Sequence, residues 1–233
     1  MSEKSISICL TSCDRFDLLE RTVKSLVKHW DYLTPNQFLV HEDSRDFSKQ
    51  QFDVLEAKIN SWIPEHWPRV GLSNQKVGQI KAIDWMYQKV TSDYIFHCED
   101  DWEFDATGFI WPSVELLNGL PNVSNVWIRY PNDRNKHPVT GGILKMNGIL
   151  YNKMSIFYGG GDWPGFSFNP GLRRLSDYKK HFPNGYQEVA EFNPKEPWRA
   201  ESKIARAYRR KGFFAVTLLR GYVQHIGDGR HVG

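Results

Sequence analysis

Residues 94–101 read Tyr94-Ile95-Phe96-His97-Cys98-Glu99-Asp100-Asp101, a short and mostly apolar run that passes without a break into three carboxylates. A run of this length closed by polar residues reads as a buried strand. Three adjacent acids at its carboxyl end have no place in a core, and they repel one another unless a cation lies among them. Hard oxygen ligands of this kind suit Mg2+ or Mn2+ bridging to a diphosphate. A solvated acidic turn, continued by Glu103 and Asp105, is the plainer alternative.

Outward from this segment the pattern of strand, polar loop and helix repeats. Residues 5–11 are β-branched and alternating, and Ser12-Cys13-Asp14-Arg15 then opens a helix whose face is Phe16, Leu19, Val23, Leu26, Val27 and Trp30. Asp17 and Glu20 stand three apart, as in a capping box. A second strand over 37–41 ends in Glu42-Asp43-Ser44, and such βαβ units place polar loops at the carboxyl ends of parallel strands, where ligands of open α/β sheets bind. Residues 46–67 carry another helical pattern, closed by Trp62-Ile63-Pro64 and Trp67-Pro68-Arg69. A loop over 74–79 leads to a helix over 80–89. Further on, strands are expected at 125–130, 142–151 and 213–219, and helices near 170–181 and 199–211.

Composition agrees with one folded α/β domain over residues 1–233. Hydrophobic residues are 40% and charged residues 24%, which excludes a collagen-like, disordered or membrane-embedded chain. The net charge of +3 is too small to demand a nucleic-acid partner. Cys9, Cys13 and Cys98 have neither the number nor the spacing of a disulfide framework or zinc knot and read as thiols in a reducing compartment. The first residues are too polar for a signal peptide, and no run of about 18 apolar residues exists for a membrane span, so a cytoplasmic location is expected.

The ordered set Ile8 to Ser12 with Asp14-Arg15, His41-Glu42-Asp43-Ser44, Asn74-Gln75-Lys76-Val77-Gly78 and Glu99-Asp100-Asp101 resembles the family 2 type glycosyltransferases of the GT-A fold. The resemblance covers roughly residues 5–105 well and the rest loosely. It implies a Rossmann-like, mostly parallel sheet flanked by helices, with residues 1–105 binding a nucleotide sugar, UDP-linked, and 106–233 binding the acceptor. It implies that Asp43 contacts the base or ribose, and that Glu99 and Asp101 hold Mn2+ or Mg2+, Glu99 standing where the family has Asp. Thr11, Arg15 and Asp100 join the donor-binding set. A late histidine completes the metal shell in several GT-A enzymes; His225, at a strand end before two glycines, matches it and favours manganese. Glu201, at the start of a helix, matches the catalytic carboxylate, which makes it the general base of an inverting transfer, with Glu188 and Glu191 as substitutes.

Other residues are read from their own chemistry. Lys76 and Lys81 flank a helix start where cations and free N–H groups meet phosphate, and Gly78 permits close backbone approach. Arg230 sits on a glycine-flanked tail able to close over a diphosphate. In the loop 159–170, Trp163 and Phe166 offer a stacking platform to an acceptor and Asp162 a hydroxyl contact, against the alternative of a turn packed by its own rings. The acceptor itself, a glycan, small molecule or modified nucleic acid, is not specified by any motif. Two other classes compete. A nucleotidyltransferase would open with a glycine-rich loop that Thr11-Ser12-Cys13-Asp14-Arg15 replaces. A catalytically inactive sugar- or nucleic-acid-binding module has no reason to gather Glu99, Asp100, Asp101, Glu201 and His225 in space.

Overall fold

A computed structural model describes residues 4–134, 137–156, 163–191 and 198–230. In chain order the elements are β1 (Ile6–Ser12), α1 (Phe16–His29), β2 (Gln37–Glu42), α2 (Lys49–Trp62), β3 (Val70–Asn74), α3 (Gln79–Lys89), β4 (Tyr94–Glu99) and β5 (Trp102–Phe104). There follow α4 (Ile110–Gly119), β6 (Val123–Trp127), β7 (Val139–Met146), β8 (Ile149–Met154), β9 (Gly171–Arg174), α5 (Leu175–His181), α6 (Trp198–Arg210), β10 (Phe214–Leu218) and β11 (Val223–His225).

Nine strands form one sheet in the order β3-β2-β1-β4-β9-β6-β10-β8-β7. Strands β9 and β8 run against their neighbours and the others share one direction. Strand β1 is buried along its whole length, and its side chains alternate between two cores. Ile6, Ile8 and Leu10 pack with α1, α2 and α4, whereas Cys9 packs with α3, α5 and α6. The chain leaves β1 towards β2 on one side and returns through β4 on the other. Their carboxyl ends therefore part at a topological switch point, which opens a crevice there.

A two-stranded sheet closes one wall of that crevice. Strand β11 pairs antiparallel with β5, setting His225 opposite Trp102, one residue beyond Asp101. This register brings a residue late in the chain to the acidic end of β4.

Several local expectations are corrected. Helix α1 starts after Arg15 with no side-chain cap, because Asp17 pairs with Arg230 and Glu20 with Lys24. The capping box is instead on α2, where Ser48 Oγ accepts from Gln51 N–H and Gln51 returns to Ser48 N–H. The single strand expected over 142–151 is a hairpin, β7 and β8, turning at Asn147-Gly148 with both residues at positive φ (49° and 83°). The helix expected near 170–181 begins as β9, and α4 and β3 had no counterpart in the sequence reading.

Strand β9 places its two arginines on opposite faces. Arg174 reaches the carboxyl end of α4, where Nε donates to Leu117 O (3.1 Å), Nη1 to Val123 O (2.8 Å) and Nη2 to Leu120 O (2.6 Å). Asp177 completes the site at 2.6 Å from Nη1. A cation here satisfies orphan carbonyls and complements the helix dipole. Arg174→Met is expected to destabilise the fold by about 2–4 kcal/mol, lowering the melting temperature by roughly 5–15 °C in calorimetry; an unchanged melting temperature refutes the capping role.

Candidate functional site

The crevice is organised by the acids that end β4 and by the loop that leaves β1. Asp100 is buried, and Arg15 clasps it through Nε (3.3 Å, to Oδ2) and through Nη2 to Oδ1. Ser12 Oγ (3.2 Å) and the Cys13 N–H (3.1 Å) also reach Asp100 Oδ2. The next amide, Asp14 N–H, donates to Glu42 Oε1 at 2.8 Å, with Asp14 in the left-handed region (φ 55°). Two consecutive amides of the β1–α1 loop are thus held by carboxylates from β4 and β2. Asp100, expected on the donor, is turned inward and shapes this loop.

Arg15 also donates from Nη1 to Asp101 Oδ2 at 2.8 Å. The same oxygen lies 3.3 Å from His225 Nε2. The main chain after His225 is tied to the same residue, since Ile226 N–H donates to Asp101 O at 2.8 Å. Gly227 fits against it so closely that a Cβ would stand 2.5 Å from Asp101 Oδ2. Burial works against the Asp101 carboxylate, but His225 and Arg15 outweigh it and hold its pKa below the ordinary range. The hydrogen bond to Asp101 correspondingly raises the His225 pKa. Asp101 Oδ1 is buried with no partner among the described residues.

Glu99 turns elsewhere and accepts from Gln79 Nε2 at 2.6 Å. Burial, followed by the charges of Asp101, Glu201 and Asp100, pushes its carboxyl well above the usual range. Among the described residues no three His, Cys, Asp or Glu side chains form a group that could hold a metal ion. The expected set Glu99, Asp101 and His225 is therefore reduced to the pair Asp101 and His225. That pair still fits a divalent ion whose remaining ligands come from diphosphate and water: it offers one carboxylate with an unpartnered buried oxygen and one imidazole.

Glu201 sits in the first turn of α6 and reaches back to the 163–170 segment. Its Oε1 accepts from Ser167 Oγ (3.0 Å) and Phe168 N–H (2.6 Å). No hydrogen bond to its Oε2 is present among the described residues, and the side chain is half-buried. Burial raises its pKa, against the opposing pull of the Phe168 N–H, Ser167, Arg173 and Arg129.

The remaining expected residues are distributed unevenly. Asp43 Oδ1 accepts from the N–H groups of Val77 (2.6 Å) and Gly78 (2.8 Å), so one oxygen anchors the loop before α3. Gly78 has φ 86°, a conformation that favours glycine. Lys76 and Lys81 are exposed beside it, and Thr11 is buried at the end of β1 next to Glu99. The exposed Arg230 pairs with Asp17, while its carbonyl accepts from Arg15 Nη1 at 3.3 Å. Phe166, expected to face an acceptor, is core: it is buried and stacks on Tyr208 with centroids 5.1 Å apart. Trp163 is partly buried and donates to Phe166 O at 2.7 Å. Asp162 lies outside the described residues. Glu188 and Glu191 are exposed.

Two side chains escaped the sequence reading. Glu42 is buried, with Oε2 unpartnered among the described residues. Arg129 is buried with its guanidinium 4.7 Å from the Trp102 ring, and His225 stands 4.9 Å from that ring. Glu42 was visible as an acid next to Asp43, but nothing local marks Arg129.

No protein-family model matches the chain, and no curated protein matches it in sequence. Solved structures do. TarS of S. aureus superposes with a TM-score of 0.58 at 11% identity, over 94% of this chain and 36% of that one. GalNAc-T7, solved with UDP, GalNAc and Mn2+, gives 0.64 at 13% identity, over 96% of this chain and 43% of that one. This chain thus spans less than half the length of either. The fold is GT-A-like, as in these glycosyltransferase structures. Among the described residues no helix is long and apolar enough to cross a membrane.

The clasp on Asp100 should dominate local stability. Arg15→Met leaves Asp100 buried without its countercharge, a loss of about 3–5 kcal/mol for a broken buried pair. Urea unfolding measures it; a loss below about 1 kcal/mol would show that the pair is dispensable.

Proposed function

We propose that the chain is a glycosyltransferase that moves a sugar from a UDP-linked donor to an acceptor hydroxyl with inversion at the anomeric carbon. The observation that carries this reading is the meeting of Asp101 and His225 at the switch point of a GT-A-like sheet, beside Glu99, whose carboxyl feels the charges of both Asp101 and Glu201. GalNAc-T7 holds UDP and Mn2+ on a fold of this kind.

In this reading Asp101 and His225 hold a divalent ion, and the imidazole favours Mn2+ over Mg2+. When bound, such an ion stabilises negative charge on the departing diphosphate. Lys76, Lys81 and Arg230 add positive charge around the phosphates. Asp43, through its second oxygen, and Glu42, through its unpartnered Oε2, take hydroxyl or base N–H donors of the nucleoside, with Thr11 beside them. Arg15 serves the donor indirectly, by keeping Asp101 in place. The acceptor approaches from the side of residues 106–233, where Trp163 flanks it.

Glu201 carries the proton chemistry. Ser167 and Phe168 fix Oε1, which leaves Oε2 to accept the proton of the attacking hydroxyl. A base must be ionised to act. Because burial raises its pKa, turnover should rise with pH through a limb that lies above the ordinary Glu value of about 4.3.

Two outcomes test the reading. Glu201→Gln should lose about 10²–10⁴-fold in turnover, abolish the acidic limb and leave donor affinity nearly unchanged; a product of retained configuration excludes the single displacement. Asp101→Ala should remain folded, by circular dichroism, yet lose Mn2+-dependent affinity for UDP in calorimetric titration. Equal affinity in the mutant removes the metal assignment.

A further inference from the structure

Arg173 is 1% exposed, and among the described residues it has no carboxylate within ion-pair distance. Among the described residues its Nε and Nη1 have no partner, and Nη2 donates to Ser167 O at 3.3 Å, with the Tyr186 hydroxyl close by. The guanidinium lies among the rings of Phe166 (5.3 Å), Phe168 (5.8 Å) and Tyr87 (6.0 Å). Cation–π attraction offsets part of the desolvation, but an aliphatic side chain would fill this core more cheaply. The ionisable groups around it, Cys9, Tyr87, His97, Tyr186 and Tyr208, are driven by burial towards their neutral forms, so none of them supplies a countercharge.

One contact gives this charge a use. The carbonyl that Arg173 holds and the Phe168 N–H that donates to Glu201 Oε1 belong to the same peptide unit. A trans peptide directs its C=O and N–H to opposite sides. Arg173, the Ser167–Phe168 peptide and the Glu201 carboxylate therefore form a line of cation, dipole and anion, in which each member polarises the next. Ser167 Oγ adds a second donor to the same oxygen. The other charges bearing on Glu201 are Arg129, which favours its ionised form, and Glu99, which opposes it.

We propose that Arg173 is a positioning residue: acting through the Ser167–Phe168 peptide, it orients the Glu201 carboxylate and keeps it ionised for proton abstraction. This rests on the reading of Glu201 as the base.

The test is a direct titration of the Glu201 carboxyl carbon by NMR, in protein labelled with 13C-glutamate, without substrate, the resonance being assigned by Glu201→Gln. Arg173→Met should move that titration upward by about one pH unit. Turnover below the shifted limb should fall about tenfold and recover when the pH is raised by one unit, with the donor KM unchanged. Arg173→Lys should restore most of the wild-type titration. If Arg173→Met does not fold, Arg173→Gln, which keeps a donor without the charge, is compared with Arg173→Lys. A Glu201 titration that is unmoved in Arg173→Met, or equal in the Gln and Lys variants, overturns the proposal. An upward titration with a kinetic limb that stays in place retains the influence of Arg173 on Glu201 and rejects Glu201 as the base, which separates the two failures.

Discussion

The contact on which the site depends is the guanidinium of Arg15 between Asp100 and Asp101. Adjacent carboxylates at the end of a buried strand cannot both stay ionised and enclosed without a cation. Burial opposes the charge on Arg15, and the two aspartates outweigh it, so the arginine is held cationic. Its planar fork matters as much as its charge, because it meets both aspartates and the Arg230 carbonyl together. The turn below is pinned from helix α1, where Thr22 Oγ1 donates to Asp100 O (2.7 Å) and accepts from Trp102 N–H (3.1 Å). Loop, helix and acidic turn are therefore one unit.

The first half of the fold was legible because its strands are buried on both faces and read as continuous apolar runs ending in polar loops. Strand β3 was not, for it is an edge strand with mostly half-buried residues, and Gly71, Ser73 and Asn74 give it no period. Helix α4 contains Pro112, tolerated in its first turn but read locally as a breaker. Asn147-Gly148 is a hairpin signal inside residues 142–151, where alternation alone reads as one strand. Glu99, Asp101 and His225 were legible as chemistry; that Glu99 turns to Gln79 depends on the approach of α3, which no local pattern records. Arg129, Arg173 and Arg174 look like ordinary charged residues in the sequence, and the burial of the first two and the partial burial of Arg174 come from tertiary packing alone.

The aromatic richness of the chain finds its explanation in the same packing. Tyr87, Tyr178, Tyr186, Tyr208, Phe166, Phe168 and Phe182 meet in the core beneath α3, α5 and α6. Their preference for edge-to-face contact builds a rigid floor under Glu201. Asp84 of α3 is drawn into this floor, where it accepts from Tyr178 Oη (2.9 Å) and from the Tyr186 N–H (2.8 Å). A buried acid with both oxygens satisfied fixes one arrangement of rings where an all-apolar core would permit several.

The pairing of β11 with β5 has a consequence for how the molecule comes into being. During synthesis, β1 to β3 can pair as they emerge, since consecutive strands are close in sequence, whereas β4 returns to β1 from the far end of the unit. The imidazole of His225 arrives only after the rest of the sheet has been made, and Asp101 must wait for it across a long loop whose closure is entropically slow. A nascent chain stalled before residue 225 would hold a formed acidic turn and no partner for it. The Asp101–His225 contact is thus made later than the first strands of the sheet that carries it.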